Sequence, residues 1–133
     1  MKNKIIGGLL LFVGALILLT PRYIFPTCEY QGFKAMACSY TGTAEMFAGF
    51  IIITASAGMF FSKSNEALRW LSLTVFAAGV TVVLLPEKIG YCHSSEMPCH
   101  YATVPALRLF GALTLIISLT GMMITLRKTG DNI

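Results

Sequence analysis

Residues 46–61 read Met-Phe-Ala-Gly-Phe-Ile-Ile-Ile-Thr-Ala-Ser-Ala-Gly-Met-Phe-Phe, a run without a single charge. Wound into a helix, this run has Phe and Ile on every side and no polar face to turn toward water. Such a helix belongs in a large core or in a membrane. Working outward, three more uncharged runs occupy residues 5–20, 70–85 and 109–126. Each is about 16 to 18 residues, close to the ~20 that a spanning helix needs, and flanks such as Thr43, Ala44 and Glu45 extend the second run. Unpaired backbone groups cost several kcal/mol each in lipid, so runs of this length span only as helices. The alternation expected of a membrane β-barrel is absent.

Composition points the same way. Of 133 residues, 56% are apolar and 12% charged, where a soluble domain carries about 25% charged residues. Mean hydropathy is +0.74. Disorder requires the opposite balance, and a soluble enzyme could not cover such a surface. The net charge of +4 comes from basic residues placed singly or in pairs at the ends of apolar runs. No basic stripe interleaved with aromatics marks a nucleic-acid interface.

We therefore expect an all-α integral membrane protein, a single domain over residues 1–133. Its spans are placed at about 5–22, 43–62, 68–86 and 104–126, with outer loops at 23–42 and 87–103. Lys2 and Lys4 before the first run resemble a signal peptide. No small-x-small cleavage site follows, only Pro21-Arg-Tyr-Ile-Phe-Pro26, so the run reads as an uncleaved anchor. Lys2, Lys4, Lys63, Arg69, Arg127 and Lys128 fall on one side of this topology. Arg22, Lys34, Lys88 and Arg108 fall on the other. The bias puts both termini in the cytoplasm.

The halves repeat. The first outer loop reads Pro21-Arg-Tyr-Ile24, then Cys28, then Met36-Ala-Cys-Ser-Tyr40. The second reads Pro86-Glu-Lys-Ile89, then Cys92, then Met97-Pro-Cys-His-Tyr101. Downstream, Gly49 matches Gly111, and Gly58-Met59 matches Gly121-Met122. Two tandem helical hairpins, related by an axis along the membrane normal, are expected to form a four-helix bundle.

All four cysteines, Cys28, Cys38, Cys92 and Cys99, fall in the two outer loops, where oxidising conditions favour disulfides. Within-loop pairs, Cys28–Cys38 and Cys92–Cys99, are the expectation. Cross-loop pairing such as Cys38–Cys99 is the alternative. Closing a loop of roughly ten residues contributes about 2–3 kcal/mol. The layout resembles that of DsbB-type thiol oxidases, but there is no Cys-x-x-Cys pair to tune a thiol. Met36, Met97, His93 and His100, with the cysteines, are weak candidates for copper(I) or zinc, although their spacing fits no standard zinc pattern.

Glu45 opens the second span and Arg108 the fourth, at nearly equivalent places in the two halves. They are expected to pair across the hairpins, with snorkelling to the headgroups as the alternative for Arg108. Small residues in the second and third spans permit close helix approach. No run carries a central ionisable residue, and no catalytic triad, zincin motif or phosphate loop occurs. No catalytic residue and no cofactor is expected.

Residues 36–45, Met-Ala-Cys-Ser-Tyr-Thr-Gly-Thr-Ala-Glu, and 97–107, Met-Pro-Cys-His-Tyr-Ala-Thr-Val-Pro-Ala-Leu, resemble the signatures of the family known as domain of unknown function 4418. The resemblance spans nearly the whole chain. It implies a small prokaryotic four-helix membrane protein of no assigned activity, with the four cysteines as family features and no catalytic residue. It also implies an accessory role beside ABC exporters of the FtsX/MacB type. Ser39 stands opposite His100, so a histidine site would not be symmetric. The expected function is non-enzymatic: a membrane component with a disulfide-stapled cap that binds a partner membrane protein, its oligomeric state open. The alternatives are a membrane thiol–disulfide oxidoreductase and a copper- or zinc-handling protein.

Overall fold

A computed structural model describes residues 1–24, 37–89 and 99–131, with side chains described from 40 in the second segment and from 101 in the third. Four α-helices carry the fold: α1 (Lys2–Leu19), α2 (Ala37–Phe61), α3 (Asn65–Ile89) and α4 (Val104–Gly130). A π-helical turn, Thr20–Ile24, continues α1, and another, Cys99–Thr103, leads into α4. The wider turn after α1 takes in Pro21, which has no N–H to give an α-helical ladder. The helices extend past the apolar runs that mark them. Residues 37–42 and 87–89, placed by hydropathy in the loops, are helical, because backbone pairing does not stop where lipid does.

Helix ends follow familiar chemistry. α2 and α3 are joined by residues 62–64, with Ser62 N donating to Gly58 O and Leu68 N to Ser64 O. Glu66 occupies the first turn of α3, and Arg127 and Lys128 the last of α4; both placements complement the helix dipole. Pro105 sits in the first turn of α4, where its missing N–H costs nothing.

Each helix packs on its neighbour in sequence, and α4 returns against α1 to close the bundle. The interior mixes aliphatic side chains such as Leu10, Ile17, Ile52 and Leu107 with many small ones, and large apolar side chains also cover the outside. Phe12, Phe47, Ile116 and Leu109 are each about 60% exposed or more, while Ala48, Ala55, Ala78, Ser56, Ser118 and Thr114 are buried. Water would not tolerate so large an apolar exterior. A bilayer would, and four stretches, Lys2–Ile24, Tyr40–Phe61, Asn65–Ile89 and Tyr101–Gly130, are long and apolar enough to cross one. At 22 residues the shortest rises about 33 Å, against about 30 Å of hydrocarbon. The chain is a multi-pass membrane protein.

Hydrophobic contrast does not hold such helices together, since lipid is as apolar as leucine; close packing does. Glycine supplies it at two crossings. A Cβ on Gly49 of α2 would stand 2.9 Å from Leu18 N and 3.3 Å from Gly14 O of α1. A Cβ on Gly111 of α4 would stand 2.7 Å from Val83 Cγ2 and 3.4 Å from Gly79 O of α3. Several hydroxyls inside the spans satisfy themselves: Ser56 donates to Ile52 O at 2.6 Å, Thr114 to Phe110 O at 2.8 Å, and Thr125 to Gly121 O at 2.9 Å.

At Gly49 the obstructing atoms are backbone, which cannot rotate away. Gly49→Ala is expected to lower stability by about 1–3 kcal/mol through overpacking. Gly8→Ala, at an exposed position with open space around it, is expected to be neutral or slightly stabilising. Thermal unfolding of both variants in micelles checks this; equal melting temperatures would show that α1 and α2 do not cross at Gly49.

Candidate site at the loop end of the bundle

The bundle has two ends. One gathers the α2–α3 turn and the outer extremities of α1 and α4, here the termini end. The other, the loop end, gathers the last turn of α1, the first of α2, the last of α3 and the first of α4. Polar groups that are deeply buried near the loop end are Thr20, Thr41, Glu45 and Thr103. Thr20 donates its hydroxyl to Leu16 O within α1. Tyr23, Tyr40 and Tyr101 stand exposed around the same end, and Trp70 near the other, as interfacial aromatics do at the two faces of a bilayer.

Glu45 is the unusual member. It lies on the inward stripe of α2, in register with Thr41, Ala48, Ile52 and Met59, and its side chain is completely buried. Neither carboxyl oxygen has a hydrogen-bond partner. Ser72 Oγ is the other buried side-chain oxygen left without one among the described residues, and it faces Gly121, whose Cβ would lie 3.7 Å away.

Arg108 does not reach Glu45. Its guanidinium donates to Glu87 Oε1 at 2.8 Å, joining α4 to the last turn of α3 in a half-exposed pair. This corrects the expected Glu45–Arg108 pair, and the reason is rotational. Leu107 is the inward residue of α4, with only 1% exposure, and the next position turns about 100° away from it. Buried positions of α2 recur 62 residues later in α4: Thr41 and Thr103, Gly49 and Gly111, Ile52 and Thr114, Ser56 and Ser118. In that register Glu45 corresponds to Leu107, and Arg108 to Met46. The Gly49–Gly111 match in the sequence already carried this signal, whereas Gly58 and Gly121 stand one residue further apart, at the spacing of Glu45 and Arg108. Glu87, the partner Arg108 uses, had no mark in the sequence beyond its charge.

Cys38 lies in the first turn of α2 and Cys99 opens the π-helical turn before α4, so both backbones are at the loop end. Cys28, Cys92, Met36, Met97 and His93 lie outside the described residues, and His100 is described by its backbone alone. Among the described residues no three His, Cys, Asp or Glu gather into a metal-binding group.

One family profile runs through this whole arrangement, matching residues 10–124, from the middle of α1 to the last turns of α4. The chain belongs to the family Domain of unknown function (DUF4418). No curated protein and no solved structure matches it. The DUF4418 match takes in both glycine crossings, Glu45 and the Arg108–Glu87 pair, so it covers the bundle rather than one hairpin.

A buried carboxyl without partners is a net cost to a fold. Glu45→Leu, which installs the residue found at the corresponding place in α4, is therefore expected to raise the melting temperature in micelles, by the equivalent of about 1–3 kcal/mol. Arg108→Ala, which breaks an exposed pair, is expected to cost at most about 1 kcal/mol. A Glu45→Leu variant less stable than the parent would mean that the carboxyl has a partner.

Proposed function

We propose that this protein is a non-enzymatic component of a membrane complex, an accessory subunit that binds a partner membrane protein. An ABC exporter permease of the FtsX/MacB type is the partner the family resemblance implies. Both termini face the cytoplasm of a prokaryotic cell, and the two loops form a disulfide-bonded cap on the other side. The observation that carries the reading is the closure of the bundle at mid-height. Backbone lies against backbone at Gly14–Gly49 and at Gly79–Gly111. Channels and carriers need a conduit or a midplane site between helices, and neither hairpin leaves room for one at its crossing. What the molecule offers to others is its ends and its outer faces.

Further features support the finer points. Buried positions of α1 recur 65 residues later in α3, namely Leu10 and Val75, Gly14 and Gly79, Ile17 and Val82, Pro21 and Pro86. With the 62-residue register of α2 and α4, this favours a duplicated hairpin about an axis normal to the membrane. Lys2, Lys4, Lys63, Arg69, Arg127 and Lys128 all belong to the termini end, which favours its cytoplasmic placement. The helical positions of Cys38 and Cys99 favour a cap drawn together over the loop end.

Photo-crosslinking tests the reading. A photoreactive residue substituted for Tyr101, which is 64% exposed, is expected to yield a discrete adduct with a permease subunit in intact cells, identified by mass spectrometry. Adducts with lipid alone would overturn it. The same protein, alkylated with and without reductant, is expected to show all four cysteines protected until reduced. Turnover of a cysteine pair with a dithiol protein would instead assign a thiol–disulfide oxidoreductase. Copper or zinc held by the reduced protein and lost on Cys99→Ser would assign metal handling.

A further inference from the structure

At the termini end a cavity of about 480 Å³ opens between α1, the α2–α3 turn and the end of α4. Its lining is of two kinds. Lys4, Lys63 and Lys128 bring three ammonium groups from three separate segments, with Asn3, Ser62 and Asn65 as further hydrogen-bonding groups. Met59, Phe60, Phe61 and Leu68 supply an apolar wall. No carboxylate of a described residue lines it, and among the described residues neither Lys4 nor Lys63 has a carboxylate partner. Lys4 Nζ instead sits 5.8 Å from the centroid of the Phe60 ring, a cation–π contact that holds the ammonium at the cavity wall. Glu66 and Asp131, acids of the neighbouring segments, lie outside the lining; Glu66 faces a separate cavity beside Arg69 and Trp70.

We propose that this cavity binds the phosphate headgroup of an anionic phospholipid. Clustered cations recognise phosphate, and Lys4 and Lys63, facing one opening with no carboxylate partner among the described residues, favour an anion over a zwitterion of no net charge. Depth and shape select a lipid over free phosphate. The cavity lies where Lys2–Ile24 begins and Tyr40–Phe61 ends, at headgroup level, and half-apolar walls suit glycerol and the first methylenes of an acyl chain. The site belongs to the termini end whichever leaflet that end faces. It is independent of the partner reading, which concerns the loop end.

Native mass spectrometry and thermal unfolding of the full chain in micelles test this, with phosphatidylglycerol, cardiolipin, phosphatidylcholine and inorganic phosphate as four separate additions. Phosphatidylglycerol and cardiolipin are expected to give retained adducts and a raised melting temperature that salt weakens. Phosphatidylcholine and inorganic phosphate are expected to give neither. Lys63→Gln should weaken anionic-lipid binding about fivefold, the equivalent of about 1 kcal/mol per lysine. Lys4→Gln with Lys63→Gln should weaken it more than either alone, and Lys88→Gln, at the opposite end, should leave it unchanged. Since these lysines are exposed, loss of folding is not expected; a circular dichroism spectrum verifies it, and Phe60→Leu, which keeps the charges but removes the ring, should weaken binding less than Lys63→Gln. Equal binding by parent and the double lysine variant, equal stabilisation by phosphatidylcholine, or a response to inorganic phosphate alone would each overturn the proposal.

Discussion

A helix in hydrocarbon gains almost nothing by hiding leucine from lipid, so this bundle depends on how closely its backbones approach. Gly49 against the backbone of Leu18 and Gly14, and Gly111 against Val83 and the Gly79 carbonyl, are the tightest places in the two hairpins. Much follows from them. Ala, Ser and Thr share the inner faces with Leu10, Ile17, Ile52 and Leu107, while Phe12, Phe47, Phe50 and Phe61 go outward. Close approach lets dispersion forces act over many atom pairs.

The same solvent governs the polar side chains. A threonine or serine can enter a span at low cost because its hydroxyl reaches a carbonyl of its own helix, as Ser56, Thr114, Thr120 and Thr125 do. A glutamate has no such refuge: its carboxylate only accepts, and the helix offers no free N–H away from its first turn. Glu45 lies beyond that turn, two helical turns into α2, fully buried with both oxygens unpaired. The corresponding place in α4 is taken by Leu107, which fills it without cost. The pairing of a carboxyl with a leucine at like positions is the sharpest difference between the hairpins, and it falls at the end where the backbones of Cys38 and Cys99 and the exposed Tyr23, Tyr40 and Tyr101 also lie.

Span number and helical class were legible from charge-free runs alone, because a run such as 46–61 admits no other arrangement in lipid. Helix ends were less so. Hydropathy marks the stretch in hydrocarbon, while residues 37–42 continue the helix past it through backbone hydrogen bonds that composition does not reveal. The inward faces were harder still. Each helix is apolar nearly all round, so hydrophobic periodicity barely separates inside from outside, and the better guide was the spacing of small residues. Gly49 and Gly111 gave the register correctly at 62 residues. Pairing Glu45 with Arg108 used a spacing one residue longer, and one residue on a helix is enough to turn a side chain from the interior to the surface. Arg108 then finds Glu87 across the α3–α4 hairpin, a contact set by tertiary geometry that no local pattern announces.

The two ends of the bundle differ in how the chain reaches them. At the loop end buried positions correspond in spacing, Thr41 to Thr103 and Pro21 to Pro86. At the termini end the halves meet differently: α2 runs into α3 through a short turn, whereas α1 and α4 end separately. Lys63 on that turn therefore has no counterpart in a second turn, and its charge stands with Lys4 and Lys128 around one opening. That opening is lined by all three of the chain segments that reach this end. The cationic residues gathered there cost nothing in packing, since their side chains are exposed while Met59 and Leu68 beside them remain in the core.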